Sequence, residues 1–140
     1  ARVAADPALE IPGRGEYRLQ PISVKDTARA VLCALDQDRT STRVIDLVGP
    51  EILSYRALVL RVASVMRRPV EIRERPVGEA LAQARASGYF GLRPHDLDCL
   101  LCDEVSDSRA VETLLGRSLE GVDALIAATL SGLKPSGTRA

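Results

Sequence analysis

Gln20-Pro21-Ile22-Ser23-Val24-Lys25-Asp26-Thr27-Ala28 is the stretch on which the reading of this 140-residue chain turns. Across residues 17–24 the apolar positions are Tyr17, Leu19, Ile22 and Val24, an imperfect alternation interrupted by Pro21. That pattern predicts a strand that is bent or lies at a sheet edge, because proline cannot donate to a ladder. Asp26 stands where a helix N-cap belongs, and Ala28, Val31, Leu32 and Leu35 then fall on one helical stripe. A strand passing directly into a helix is half of a strand–helix–strand unit.

Working outward, the flanks extend the alternation of elements. Residues 1–7 read as a short helical or loop piece, residues 8–11 as a strand, and Pro12-Gly13-Arg14-Gly15 as a turn. After the helix, polar residues 36–42 make a loop, and Arg43-Val44-Ile45-Asp46-Leu47-Val48 reads as a buried strand ended by Gly49-Pro50. Ser54 caps a helix with Leu58, Val59, Val62, Ala63 and Met66 on its inner face, stopping before Pro69. Residues 70–75 form a third short strand, with Val70 and Ile72 inward and Glu71 and Arg73 outward. Strand, helix, strand, helix in that order predicts parallel pairing.

From Val77 onward the pattern is helical. One helix ends at Gly88. A second starts at Pro94, a favoured first-turn residue, with Leu97, Leu100 and Leu101 inward. A third follows Ser106 and Asp107 and ends at Gly116. Ser118 caps the last, which carries Leu119, Val122, Leu125, Ile126 and Leu130, and 134–140 is a disordered tail. The expected organisation is an α/β segment over 1–76, a helical segment of the same domain over 77–133, and the tail.

Composition narrows the function classes. An apolar fraction of 46% excludes a disordered or fibrous chain. Aromatics are 3%, so the core is aliphatic and stacking platforms for single-stranded nucleic acid are not expected. Nineteen basic residues balance nineteen acidic ones, without the basic excess of a duplex-binding domain. No apolar run approaches the ~20 residues that span a bilayer, and no signal peptide is visible. Three cysteines, Cys33, Cys99 and Cys102, suit a reducing cytoplasm.

Several catalytic signatures are missing. No glycine-rich dinucleotide turn occurs; Gly13-Arg14-Gly15 is followed by an extended segment, so no helix dipole would face a pyrophosphate. No Gly-Lys-Ser/Thr exists. No tyrosine has a lysine one turn on, since Tyr17, Tyr55 and Tyr89 are followed four residues later by Pro21, Val59 and Arg93. Cys99 and Cys102 form a C-x-x-C near the end of a predicted helix among leucines, where they read as small buried hydrophobes. His95 and the distant Cys33 supply no zinc spacing, so no metal is expected and His95 reads as a surface or capping residue.

Three stretches in order resemble a known family. Residues 20–28 resemble the strand-to-helix element of extended and atypical short-chain dehydrogenases/reductases, where Ile/Val-x-Val-x-Asp leads into a helix opening with Ala. Val44-Ile45-Asp46-Leu47-Val48-Gly49-Pro50-Glu51 followed by Ile52-Leu53-Ser54-Tyr55 is similar to that family's next strand, Gly-Pro-Glu turn and capped helix. Asp103-Glu104-Val105-Ser106-Asp107, Leu114-Leu115-Gly116 and Ser118-Leu119-Glu120 resemble its C-terminal segment. The similarity runs from about residue 8 to 130 and points to the atypical branch, with complex I 39-kDa-subunit-like, NmrA-like and epimerase-like members.

The resemblance implies an α/β fold: the C-terminal portion of a Rossmann-like domain, a few short strands followed by a helical substrate lobe. It implies that NAD or NADP binds the full-length parent through an N-terminal half outside this chain, in keeping with a sequence that opens on Ala1. The chain would then hold no cofactor and no catalytic residue. Through the parent it would meet a small-molecule substrate, with Gln20 and Pro21 lining a pocket. Arg93-Pro94-His95-Asp96 matches the family's phosphate-gripping Arg-Pro-x-Asp, which makes Arg93 and Asp96 substrate-side candidates. Another family arginine falls at Leu19, with Arg18 one residue off and so on the opposite strand face. Nucleic acid and membrane are not expected partners, and an unpaired sheet edge is expected to drive self-association or a covering rearrangement. A parent that has lost catalysis and works as a nucleotide-sensing or assembly subunit is the alternative.

Overall fold

A computed structural model describes residues 8–37, 42–89 and 91–132. The expected N-terminal piece 1–7, residues 38–41 of the expected loop and the expected tail 134–140 lie outside the described residues. The elements follow the order β1 (Ala8–Pro12), β2 (Arg18–Leu19), α1 (Val24–Asp36), β3 (Leu53–Ser54), α2 (Tyr55–Val65), β4 (Glu71–Arg75), α3 (Val77–Ser87), α4 (Pro94–Leu100), α5 (Arg109–Leu115) and α6 (Val122–Gly132). They fall into two compact units, one of Ala1–Gln20 and Ile52–Ser106, the other of Pro21–Glu51 and Asp107–Ala140.

In the first unit β1 and β4 pair in parallel, with Leu9 opposite Ile72 and Pro12 opposite Arg75. Leu9 and Ile11 point to one face and are buried with Val59 of α2, joined by Tyr55, Val70 and Ile72. Each aliphatic side chain buried there contributes about 1.5–3 kcal/mol. Glu10, on the other face of β1, accepts from Arg75 Nη1 at 2.8 Å and from the Tyr89 hydroxyl at 3.1 Å. A second cluster joins Ala80 and Ala84 of α3 to Tyr89 and Leu97. The small residues at 80 and 84 let α4 approach α3 closely.

Most helix ends lie where their signals stand. Ser54 Oγ accepts from Ala57 N–H at the start of α2. Gly88 closes α3, Pro94 opens α4, and Gly116 closes α5 in the left-handed region at φ 65°. Of the expected 17–24 strand, only Arg18–Leu19 pairs, antiparallel to β3.

The second unit departs from expectation in four places. The N-cap of α1 is Ser23, whose Oγ accepts from Asp26 N–H at 3.0 Å; Asp26 is the third helical residue and turns inward. The Ala28, Val31, Leu32 and Leu35 stripe faces solvent, with Val31 50%, Leu32 60% and Leu35 59% exposed, while Ala30 is buried with Val111 and Leu119. Residues 43–48 form no ladder among the described residues, and Val44 is 91% exposed. A strand needs a hydrogen-bonded neighbour, and no described residue supplies one. Likewise α6 begins at Val122 rather than after Ser118, because Glu51 Oε1 accepts from Val122 N–H at 2.9 Å while Leu119 joins the core from the preceding loop.

Candidate functional site

In open α/β sheets, ligands bind outside the carboxyl ends of parallel strands. In the first unit the chain leaves the carboxyl end of β1 through Pro12-Gly13-Arg14-Gly15-Glu16-Tyr17, and Gly13 N–H donates to the carbonyl of Arg75, the last residue of β4, at 2.7 Å. A cavity of about 520 Å³ opens against this loop, walled by Val77, Leu101 and Asp103. Gly13 and Gly15 hold φ of 60° and 69°, a region in which a side chain is strained. At Gly15 a Cβ would also lie 2.7 Å from Ile11 Cδ1 and 3.2 Å from Arg56 N, whose N–H donates to the Gly15 carbonyl.

Three side chains give the cavity its chemistry. Arg14 is exposed and has no ion-pair partner among the described residues. Tyr17 stacks on Tyr55 with ring centroids 5.3 Å apart, and its buried hydroxyl has no hydrogen-bond partner there. Burial pushes the Tyr17 phenol above its ordinary value, and Tyr55 and Tyr89 add to the shift. A phenol raised in this way is a hydrogen-bond donor at neutral pH and not a proton acceptor. Asp103 is committed elsewhere, accepting from Arg18 N–H at 2.7 Å and from Arg18 Nε at 2.9 Å. Those bonds hold the Asp103 carboxyl below its ordinary value, against the small effect of burial.

The residues singled out from sequence are distributed as follows. Gln20 is buried, and its Oε1 accepts from Ser106 N–H at 2.8 Å. Arg93 and Asp96 are brought together at the start of α4: Asp96 accepts from Arg93 N–H at 3.0 Å, from Nε at 2.9 Å and from Nη2 at 3.0 Å. That fork lowers the Asp96 carboxyl to about 2 and leaves the Arg93 side chain 80% exposed. Pro21 belongs to the second unit, where its carbonyl crowds Gly49 so closely that a Cβ at 49 would lie 1.7 Å from it.

The cavity residues Arg14, Tyr17 and Asp103 were not legible as a site. The available signal was the pair of glycines at 13 and 15, which mark a backbone turned back on itself at a strand end. Asp26 was legible only as a cap. It is 1% exposed and accepts from Glu120 N–H at 3.0 Å and from the Arg117 guanidinium. Burial raises its carboxyl, but the Glu120 N–H, the Arg117 guanidinium and the Ser23 hydroxyl outweigh burial and hold it below the ordinary value. Asp26 therefore clamps the start of α1 to the 117–120 loop. Cys99 and Cys102, expected to be buried, are exposed, because α4 ends at Leu100 and only its Leu97 face is covered. Among the described residues no cluster of three or more His, Cys, Asp or Glu could hold a metal ion, and no helix is long and apolar enough to cross a membrane.

Comparison with known proteins places the fold. No protein-family model matches the sequence, and no curated protein matches it. Among solved structures, the chain is similar to RMD from Pseudomonas aeruginosa complexed with NADPH, at 17% identity and a TM-score of 0.59 over 93% of this chain and 36% of that one. It is also similar to a nucleoside-diphosphate-sugar epimerase from Staphylococcus aureus, at 16% identity and a TM-score of 0.63 over 86% of this chain and 43% of that one. Triphenylmethane reductase from Citrobacter sp., complexed with NADP(H), matches at 15% identity and a TM-score of 0.63 over 85% of this chain and 44% of that one. The chain thus spans less than half the length of each. At these identities the likeness is one of fold, and it agrees with the resemblance to extended and atypical short-chain dehydrogenases/reductases: this chain has the α/β fold of a portion of such reductase- and epimerase-type proteins.

Proposed function

We propose that this chain is the substrate-side portion of an NAD(P)-binding reductase- or epimerase-like protein, forming pocket walls while another part of the same parent holds the nicotinamide. The observation that carries this reading is the solvent-facing apolar stripe of α1. Val24, Val31, Leu32 and Leu35 are all at least half exposed on a helix whose opposite face is buried. Burial favours apolar surface by about 25 cal/mol per Å², so such a stripe marks a face that another element covers. The unpaired run 43–48 lies in the same unit and has the composition of a buried strand. In the parent, sheet strands would pair with 43–48 and α1 would pack on that sheet.

In this reading residues 1–76 complete the parent's sheet and 77–133 build the helical substrate lobe. NADPH and NADP(H) in two of the similar structures support a nicotinamide cofactor for the parent. The cavity beside residues 12–17 would hold part of a small-molecule substrate, with Arg14 offering a cation and the Tyr17 ring forming part of the wall. Arg93, held in its fork by Asp96, would present an anion-binding edge. The three free thiols suit a cytoplasmic protein.

The test is substitution of the stripe in the parent. Leu32→Glu with Leu35→Glu should abolish soluble expression or cofactor-dependent turnover of the parent while the isolated chain keeps its helical circular dichroism. Unchanged parent expression and turnover would refute the reading.

A further inference from the structure

Cys99 and Cys102 belong to neither the cavity chemistry nor the apolar stripe, and their surroundings point to a role. Both thiols are exposed where α4 ends. The Cys102 N–H donates to the Cys99 carbonyl at 3.1 Å, closing a turn that keeps residues three apart within about 7 Å Cα to Cα, the span a disulfide bridges. Cys102 Sγ lies 3.4 Å from the Asp98 carbonyl, on the chain segment adjoining Cys99. One turn back, His95 Nε2 is 3.8 Å from Cys99 Sγ. The imidazole thus stands beside one of the two sulfurs and can accept its proton.

We infer that Cys99 and Cys102 form a reversible redox pair in which Cys99 reacts with a hydroperoxide and Cys102 resolves it. The Cys99 thiol gives its proton to His95 Nε2, and the thiolate attacks the terminal oxygen of hydrogen peroxide. The O–O bond breaks, a sulfenic acid forms on Cys99, and the departing hydroxide takes the proton back to leave as water. Cys102 Sγ then attacks the Cys99 sulfur, forming the S–S bond and releasing a second water. Two thiols are oxidised by two electrons and one peroxide is reduced to two waters; an external dithiol restores the reduced pair.

The disulfide would brace the turn that carries Leu101, a wall of the cavity, and immediately precedes Asp103, which grips Arg18. Oxidation would therefore stiffen one wall of the cavity.

The experiment treats the reduced chain with stoichiometric hydrogen peroxide and measures mass. Both cysteines lie on one tryptic peptide, 86–109, because Pro94 protects the Arg93 bond. The expected result is a 2-Da loss on that peptide, retained in Cys33→Ser, absent in Cys102→Ser, and reversed by dithiothreitol. Cys102→Ser should instead hold a dimedone-trappable sulfenic acid on Cys99. In a timed iodoacetamide reaction, His95→Gln should slow Cys99 labelling several-fold and leave the Cys102 rate unchanged. A covalent dimer, a Cys33-containing disulfide, or equal labelling rates with and without His95 would overturn the inference.

Discussion

Replacing Asp26 by Asn tests whether the buried clamp of the second unit carries the stability its geometry requires. The carboxylate is 1% exposed, accepts the Glu120 N–H at 3.0 Å and faces the Arg117 guanidinium, whose side chain is 39% exposed. Removing one partner of a fully buried pair costs about 3–5 kcal/mol. Arg117 can recover water, and Asn still accepts the Glu120 N–H, so the expected loss for Asp26→Asn is about 2 kcal/mol. With a urea dependence of about 1–3 kcal/mol per molar, the midpoint should fall by about 1 M at pH 7, read by far-ultraviolet circular dichroism. The folded-state value of Asp26 is depressed, so its contribution is complete above the ordinary carboxylate value of about 3.9. It is lost as pH falls through the folded value, and the gap between wild type and Asp26→Asn should narrow below pH 4. A midpoint shift under about 0.3 M at pH 7, or a gap that does not narrow in acid, would refute the reasoning.

Other outcomes follow from single contacts. Gly49→Ala places a Cβ 1.7 Å from the Pro21 carbonyl oxygen, a backbone atom that cannot step aside, so Tm should drop by about 5 °C or more in calorimetry. Asp96 should titrate near 2 by carbon-detected NMR and return toward about 3.9 in Arg93→Gln, since the guanidinium is the main cause of the shift. Gln20→Leu removes the acceptor of the Ser106 N–H and should cost about 1–2 kcal/mol by urea unfolding. The isolated chain should self-associate in light scattering, and Leu32→Glu with Leu35→Glu should shift it toward monomer; a clean wild-type monomer would count against a sticky face.

Elements set by local chemistry were readable from the sequence. Ser54 caps α2, Gly88 and Gly116 end their helices, and Pro94 starts α4, because capping and the backbone freedom of glycine act within a few residues. Parallel pairing was legible only as a class: the alternation that predicts it ran through 17–24 and 43–48, yet the parallel partners are β1 and β4, while Arg18–Leu19 pairs antiparallel. Asp26 was misplaced because Ser and Asp are near-equal N-caps; Ser23 wins since the Arg117 and Glu120 donors, more than ninety residues on, draw the Asp26 carboxylate inward. The 43–48 run shows the limit of periodicity, which reports which side chains want burial and not whether a neighbouring strand is there to pair. The site was obscure for the same reason: Arg18 meets Asp103 across 85 residues and Gln20 meets Ser106 across 86. Arg93 and Asp96 were singled out by resemblance as substrate-side residues; the structure joins them to each other, because residues three apart at a helix start lie on one face.

The central claim, that this chain is a substrate-side portion whose parent holds the nicotinamide elsewhere, is tested most directly by calorimetric titration of NADPH and NADH into the isolated chain and into the full-length parent. The account predicts micromolar binding of one of them by the parent and no measurable heat of binding with the isolated chain. Micromolar binding by the isolated chain, or none by the parent, would contradict it.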